Sequence, residues 1–194
     1  MPNKYIVFED AHGTHELAVG SLLAADGKLY LSGAVDSESA EDIIKNMIYL
    51  SQNNIPITLF LDSPGGEIRS GLAIIDMMEI IGKTTQIDVI CTGKAYSMAA
   101  VILAAGSKGH RHMLPHAEVL IHEPLIMGGS GGNASSVKST AESLLAIRDV
   151  MSELLAKYTG NTVEKMNEIM HGDTYLNAKE AIKLGVADDV TVAL

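Results

Sequence analysis

Between residues 28 and 124 the chain alternates short, nearly continuous apolar runs with longer stretches whose apolar residues recur every three or four positions. The runs are KLYLSGAV (28–35), ITLFLD (57–62), QIDVICTG (86–93) and EVLIHEP (118–124). They are the pattern of strands covered on both faces. Between them, ESAEDIIKNMIYLSQNN (38–54) sets Ala40, Ile43, Ile44, Met47 and Ile48 on one helical face, with Ser37 or Ser39 as the cap. EIRSGLAIIDMMEII (67–81) repeats the helical spacing and stops at Gly82, and SMAAVILAAG (97–106) is a further helical run. Strand follows strand at roughly one crossover's length. The pattern predicts an α/β fold with stacked parallel crossovers.

The ends of the chain read differently. YIVFED (5–10) and HELAV (15–19) bracket a polar turn with Gly13 and predict a hairpin. LIMGGSGGNASS (125–136) is rich in Gly and Ser but too short for a domain linker. After it, Val137, Ala141, Leu144, Ile147, Met151, Leu154 and Tyr158 recur at helical steps up to Gly160, a C-terminal cap. Near the C-terminus NAKEAIKLG (177–185) opens on a capping-box pair, Asn177 and Glu180, and closes at Gly185. No internal repeat exists beyond the crossover rhythm.

Composition narrows the class. A chain of 194 residues suits one domain, residues 1–194, burying roughly 70% of the surface it exposes unfolded. Hydrophobic residues are 47% and aromatics 4%, with no Trp, so the core is aliphatic. A net charge of −10 without a basic run argues against nucleic acid and anionic membranes as partners. The single Cys91 allows no internal disulfide and reads as a buried core thiol. No apolar run is long enough to span a bilayer, and acidic residues stand where a signal peptide would be apolar. A cytoplasmic protein is expected.

The chemistry centres on Ser97, at a strand-to-helix turn in GKAYSMAA. It is a helix cap or a nucleophile, and the local sequence favours the cap. Its own amide and that of Met98 begin a helix, where free N–H groups can meet an oxyanion. His122, at the end of EVLIH, is the best-placed general base. His110, His112 and His116 fall in GHRHMLPH, which reads as a solvated polar loop: the HRH spacing hints at a metal, but no further ligand lies at helpful spacing. SPGG (63–66) can bring backbone amides close to a substrate or be a tight turn, and it fits no phosphate-loop pattern. For a carboxylate to orient the base, the residues leave Asp62, Asp76, Asp149 and Asp173 open.

Taken in order, LDSPGG, GKAYSMAA, LPHAEVLIHEPL, the Gly-rich stretch with its long helix, and GDTYLNAKEAIKLGVAD resemble the ClpP family, the proteolytic subunits of Clp proteases. The resemblance runs from about Leu29 to Val190. It implies the ClpP/crotonase-like fold of stacked ββα crossovers with a protruding strand and long-helix handle. The N-terminal hairpin would then be 1–20, the head 20–122 and 161–194, and the handle about 123–160. It further implies Ser97 as nucleophile, His122 as base and Asp173 as the residue orienting it, with Gly66 and Met98 giving oxyanion amides. No cofactor or metal is called for. The expected partners are polypeptide substrates, an AAA+ Clp unfoldase ATPase, and copies of the chain in heptameric rings stacked as a tetradecamer, with a paralogue in mixed rings as a variant.

Departures from the family pattern mark a divergent member or second paralogue. Asp62 precedes SPGG where Asn is usual, Glu123 follows His122 where Gln is usual, and His171-Gly172 replaces an acidic-Arg pair that ties rings together. The counterparts of the ATPase-docking positions are Thr58, Phe60, Ile80, Ile90 and Thr92, two of them polar. Three readings follow: a self-compartmentalised serine endopeptidase, a regulatory or structural ring subunit of low activity, and an acyl-CoA enzyme of the wider crotonase superfamily. The third expects oxyanion amides without a Ser-His-Asp set.

Overall fold

The structure, a computed structural model, describes residues 5–10, 13–126 and 131–192. Strands β1 (Tyr5–Asp10) and β2 (Gly13–Ala18) pair antiparallel as the expected hairpin, whose turn residues Ala11 and His12 lie outside the described set. A short helix, α1 (Val19–Ala25), follows where no helix is predicted. It is seven residues long and buries none of them fully, so its Val19, Leu22 and Leu23 make less than two turns of helical spacing, too short a pattern to read as a helix.

The crossovers then appear as expected. Strands β3 (Lys28–Ser32), β4 (Ile57–Ser63) and β5 (Ile87–Tyr96) lie side by side and parallel, joined through helices α2 (Ser37–Gln52) and α3 (Ile68–Ile81). Two details of α2 correct the sequence reading. Its cap is Asp36, whose Oδ1 accepts from the Ser39 amide at 2.8 Å while Ser39 Oγ accepts from the Asp36 amide at 3.0 Å. Its buried face is Ala40, Ile43, Met47 and Leu50, with Ile48 turned outward.

Strand β5 forks the sheet. It continues through Gly93 to Tyr96, three residues past the predicted run. The β4–β5 register slips between Leu61↔Cys91 and Ser63↔Ala95. Asp62 Oδ1 accepts from the Lys94 amide at 3.1 Å across this bulge, and a Cβ on Gly93 would lie 2.8 Å from that oxygen. Beyond α4 (Met98–Ala104), the first half of β5 pairs with β6 (Arg111–Met113) and the second half with β7 (Glu118–Ile121), both parallel.

Strand β6 overturns the reading of GHRHMLPH as a solvated loop. Arg111 is buried. Its Nε and Nη2 grip the Asp188 carboxylate at 2.9 and 2.5 Å, and Nη1 reaches the carbonyls of Ala104, Tyr158 and Gly185. A charged residue reads as surface until its five donors find partners.

The long helix α5 (Ala134–Thr159) ends at Gly160 with φ 75°, the left-handed cap expected there. It is followed by α6 (Val163–Met170), β8 (Thr174–Asn177), α7 (Ala178–Leu184) and β9 (Asp189–Val190). The Asn177–Glu180 capping box closes in both directions. Strand β8 runs antiparallel to β7, and β9 runs parallel to β6. Residues 122–126 have no regular structure, and 127–130, within the Gly-rich patch, lie outside the described residues. Among the described residues no helix is long and apolar enough to cross a membrane. Cys91 is buried, and burial pushes its thiol up to about 12.

Candidate active site

The chain passes from strand to helix at one residue, Ser97, between Tyr96 of β5 and Met98 of α4. Its φ of 54° and ψ of −122° lie where L residues rarely go, a conformation that costs roughly 1–3 kcal/mol. Its hydroxyl makes no hydrogen bond to the helix, so it is not a capping serine. The surroundings hold the strained turn in place. The Ser97 amide donates to Leu120 O at 2.8 Å, and the Ala100 amide donates to Ser97 O at 3.0 Å. The first of these bonds corrects an expectation: Ser97's own N–H is occupied by β7 and is not an oxyanion donor. The Met98 amide, the other donor named, stands at the first position of α4.

The SPGG loop presses on this elbow. A Cβ on Gly65, whose φ is 84°, would lie 2.5 Å from Tyr96 O and 2.8 Å from Ser97 Cβ. Gly66, with φ 154°, has no room either, because a Cβ there would lie 2.2 Å from Val35 O. The loop is clamped from below. Ser63 Oγ donates to Gly33 O at 2.6 Å and accepts from the Gly65 amide, while the Val35 amide donates to Gly65 O and the Glu67 amide to Val35 O. Gly66 N–H takes no part in that clamp. Gly71 of α3 makes room for the Met98 side chain. Gly65 belongs to the SPGG pair expected to allow close approach, whereas Gly71 carries no such signal, because a helix glycine needed for close approach looks like any other.

Antiparallel pairing supplies the second half of the site. The β7–β8 register sets Ile121 opposite Thr174, so the next pair outward is His122 and Asp173. His122 Nδ1 lies 3.4 Å from Asp173 Oδ1, longer than an ordinary N–H···O bond. The other carboxylates left open by the sequence are engaged elsewhere or apart: Asp62 on the β5 bulge, Asp149 with Arg148, and Asp76 on α3. Ser97 and His122 line one cleft whose walls are apolar, among them Ile68, Val101, Pro124 and Met170. Next to it the Tyr96 phenol donates to Glu118, which pushes the phenol up to about 12. The replacement residue His171 faces Glu123, its Nδ1 3.9 Å from Glu123 Oε1.

A model of the family described as Clp protease matches residues 11–193. The chain belongs to the Clp protease family. Membership implies a peptidase and suggests serine peptidase chemistry, in keeping with a mixed α/β fold built on a parallel sheet. In this Clp protease family member the five docking counterparts fall unevenly. Thr58, Phe60, Ile90 and Thr92 lie at alternate positions on β4 and β5, and so on one face of the sheet. Phe60 and Ile90 are only 5% and 7% exposed, and Tyr30, 51% exposed, stacks on Phe60 with ring centroids 4.7 Å apart. Ile80, on α3, is exposed. Tyr30 therefore supplies apolar surface that the sequence reading did not count.

Proposed function

We propose that this chain is a serine endopeptidase in which Ser97 is the nucleophile, His122 the general base, Asp173 the residue that orients it, and the Gly66 and Met98 amides the oxyanion donors. The observation that carries the reading is the strained elbow at Ser97 sharing a cleft with His122, whose Nδ1 faces a carboxylate. With Nδ1–H turned to Asp173, Nε2 is free to take the Ser97 proton as Oγ attacks a peptide carbonyl. The imidazolium then protonates the leaving amine, and water, deprotonated in turn by His122, hydrolyses the ester. An amide donor at the developing oxyanion is worth roughly a hundredfold or more in rate. The apolar cleft walls suit an apolar side chain beside the scissile bond.

The wider reading is self-compartmentalised: heptameric rings stacked as a tetradecamer, with 20–122 and 161–194 as head and about 123–160 as handle. An AAA+ unfoldase would feed it unfolded chains in the cytoplasm. The 3.4 Å separation of His122 and Asp173 favours a second reading, a ring subunit of low activity of its own, although such contacts commonly tighten only when substrate binds. Fluorophosphonate labelling of the pure protein and hydrolysis of a peptide series decide between them. The peptidase reading expects labelling at Ser97, turnover of peptides with apolar residues before the cut, and loss of both in Ser97→Ala with assembly unchanged. Activity near wild type in Ser97→Ala would overturn the nucleophile. An unlabelled but assembled wild type would favour the subunit reading.

A further inference from the structure

At the end of β5 remote from Ser97, three side chains from two strands and a turn converge on one point. Asp88 Oδ1 lies 2.7 Å from His110 Nδ1 and 3.7 Å from His112 Nε2. One ligand atom from each residue falls within 4.8 Å of the others. The pieces behind them are also set. His112 Nδ1 lies 2.6 Å from Asp189 Oδ1, and Gln86 Nε2 donates to Asp88 Oδ2 at 2.9 Å.

The Asp189 carboxylate fixes the proton of His112 on Nδ1, which is how metal-ligating histidines are held by a second carboxylate. The Nε2 lone pair then faces another acceptor, Asp88 Oδ1, at a separation too long for a hydrogen bond and close to that of two ligands on one ion. Ligands about 2.1 Å from a tetrahedral centre stand about 3.4 Å apart, so the 2.7 Å hydrogen bond between His110 Nδ1 and Asp88 Oδ1 opens and the His110 ring turns as the ion enters. Gln86 occupies the far oxygen of Asp88 and so turns Oδ1 inward. We propose that Asp88, His110 and His112 bind a divalent transition metal ion. Two imidazoles and a carboxylate suit Zn²⁺, and partial exposure of all three leaves a position for water. Sequence spacing hid the site, since Asp88 joins the HRH pair only through the β5–β6 pairing. The sheet register puts Thr58 beside Asp88 and Ile90 beside His112, so the ion stands on the face of the docking counterparts and away from the Ser97 cleft.

Full-length protein, stripped with chelator and dialysed, should bind one Zn²⁺ per chain in calorimetry. Co²⁺ in its place should give the intense visible bands of a low-coordinate site. Asp88→Asn and His112→Gln should each weaken Zn²⁺ binding by more than about a hundredfold. Asp189→Asn, which keeps the shape of an exposed side chain, should weaken it by about 10–100-fold. His116→Gln, outside the cluster, should leave the affinity unchanged, and the circular dichroism spectrum and urea midpoint of each variant report folding independently. The site is refuted if the wild type shows no saturable binding, or if Asp88→Asn or His112→Gln binds as tightly as the wild type.

Discussion

Ser97 keeps its positive φ because nothing at Gly65 pushes it away. A methyl group there would meet Tyr96 O and Ser97 Cβ inside van der Waals contact, and neither is a flexible side-chain end that could swing aside. The added methyl must also accept φ 84°, so crowding of roughly 1–3 kcal/mol adds to backbone strain. Gly65→Ala should therefore lower the denaturant midpoint and reduce kcat/KM by at least tenfold. A variant with wild-type kcat/KM would mean that the elbow does not depend on this contact. At this scale the sequence was partly legible. Ser97 and His122 stood out by position at the ends of apolar runs. Asp173 did not, because its place beside His122 depends on β7–β8 register, which the ordered family motifs supplied and spacing could not. The occupied Ser97 amide was invisible for the same reason, since its acceptor, Leu120 O, sits on another strand.

Elements show where periodicity succeeds and where it misleads. Covered strands and amphipathic helices announced themselves through β3, β4, β5, α2 and α3, whereas β6 is three residues long and carries Arg111, too short and too charged to read as a strand. Yet Arg111 ties α4, α5 and α7 together through three carbonyls and Asp188. Burial alone would raise the Asp188 carboxyl, but Arg111 and the amides of Gly109 and Arg111 outweigh it and hold it below the usual range. A depressed folded value means that the stabilisation is fully present above the unfolded carboxyl's pKa, about 3.9, and fades as pH falls through the lower folded value. Arg111→Met should cost roughly 3–5 kcal/mol near neutral pH by stranding Asp188. The cost should shrink in acid, which urea unfolding at pH 7 and at pH 3 would measure. A pH-independent cost would assign the loss to packing.

Helix α5 needs a similar correction. The apolar stripe predicted along this helix includes Met151, which would face a partner ring only if it were uncovered, but that residue is 4% exposed and lines the Ser97 cleft. An acidic residue there would damage the core and the site together. The uncovered large apolar residues of α5 are Val137, Leu145 and Val150, at 46%, 49% and 43% exposure. If α5 joins two rings, Leu145→Glu with Val150→Glu should halve the mass seen in analytical ultracentrifugation while leaving Ser97 labelling detectable. Unchanged mass would move the contact elsewhere.

At the scale of the whole molecule, the hairpin β1–β2 stands apart from the main sheet. Its two strands pair only with each other, and Tyr5, Ile6, Val7 and Leu17 are exposed. An isolated two-stranded ribbon is marginal in water, and apolar side chains on both strands gain most if something covers them. In the ring proposed above, seven such hairpins would cover one another around the axis and narrow the passage to the interior. A folded protein could not pass, and an unfolded one would pass slowly. Deleting residues 5–18 should speed casein degradation severalfold without raising hydrolysis of a dipeptide ester, which needs no wide passage. Peptide-ester turnover thus reports the Ser97 site, and the casein rate reports the passage. Equal casein rates for truncated and full-length protein, both still assembled by ultracentrifugation, would remove the hairpin from any gating role and leave the assignment of Ser97 standing.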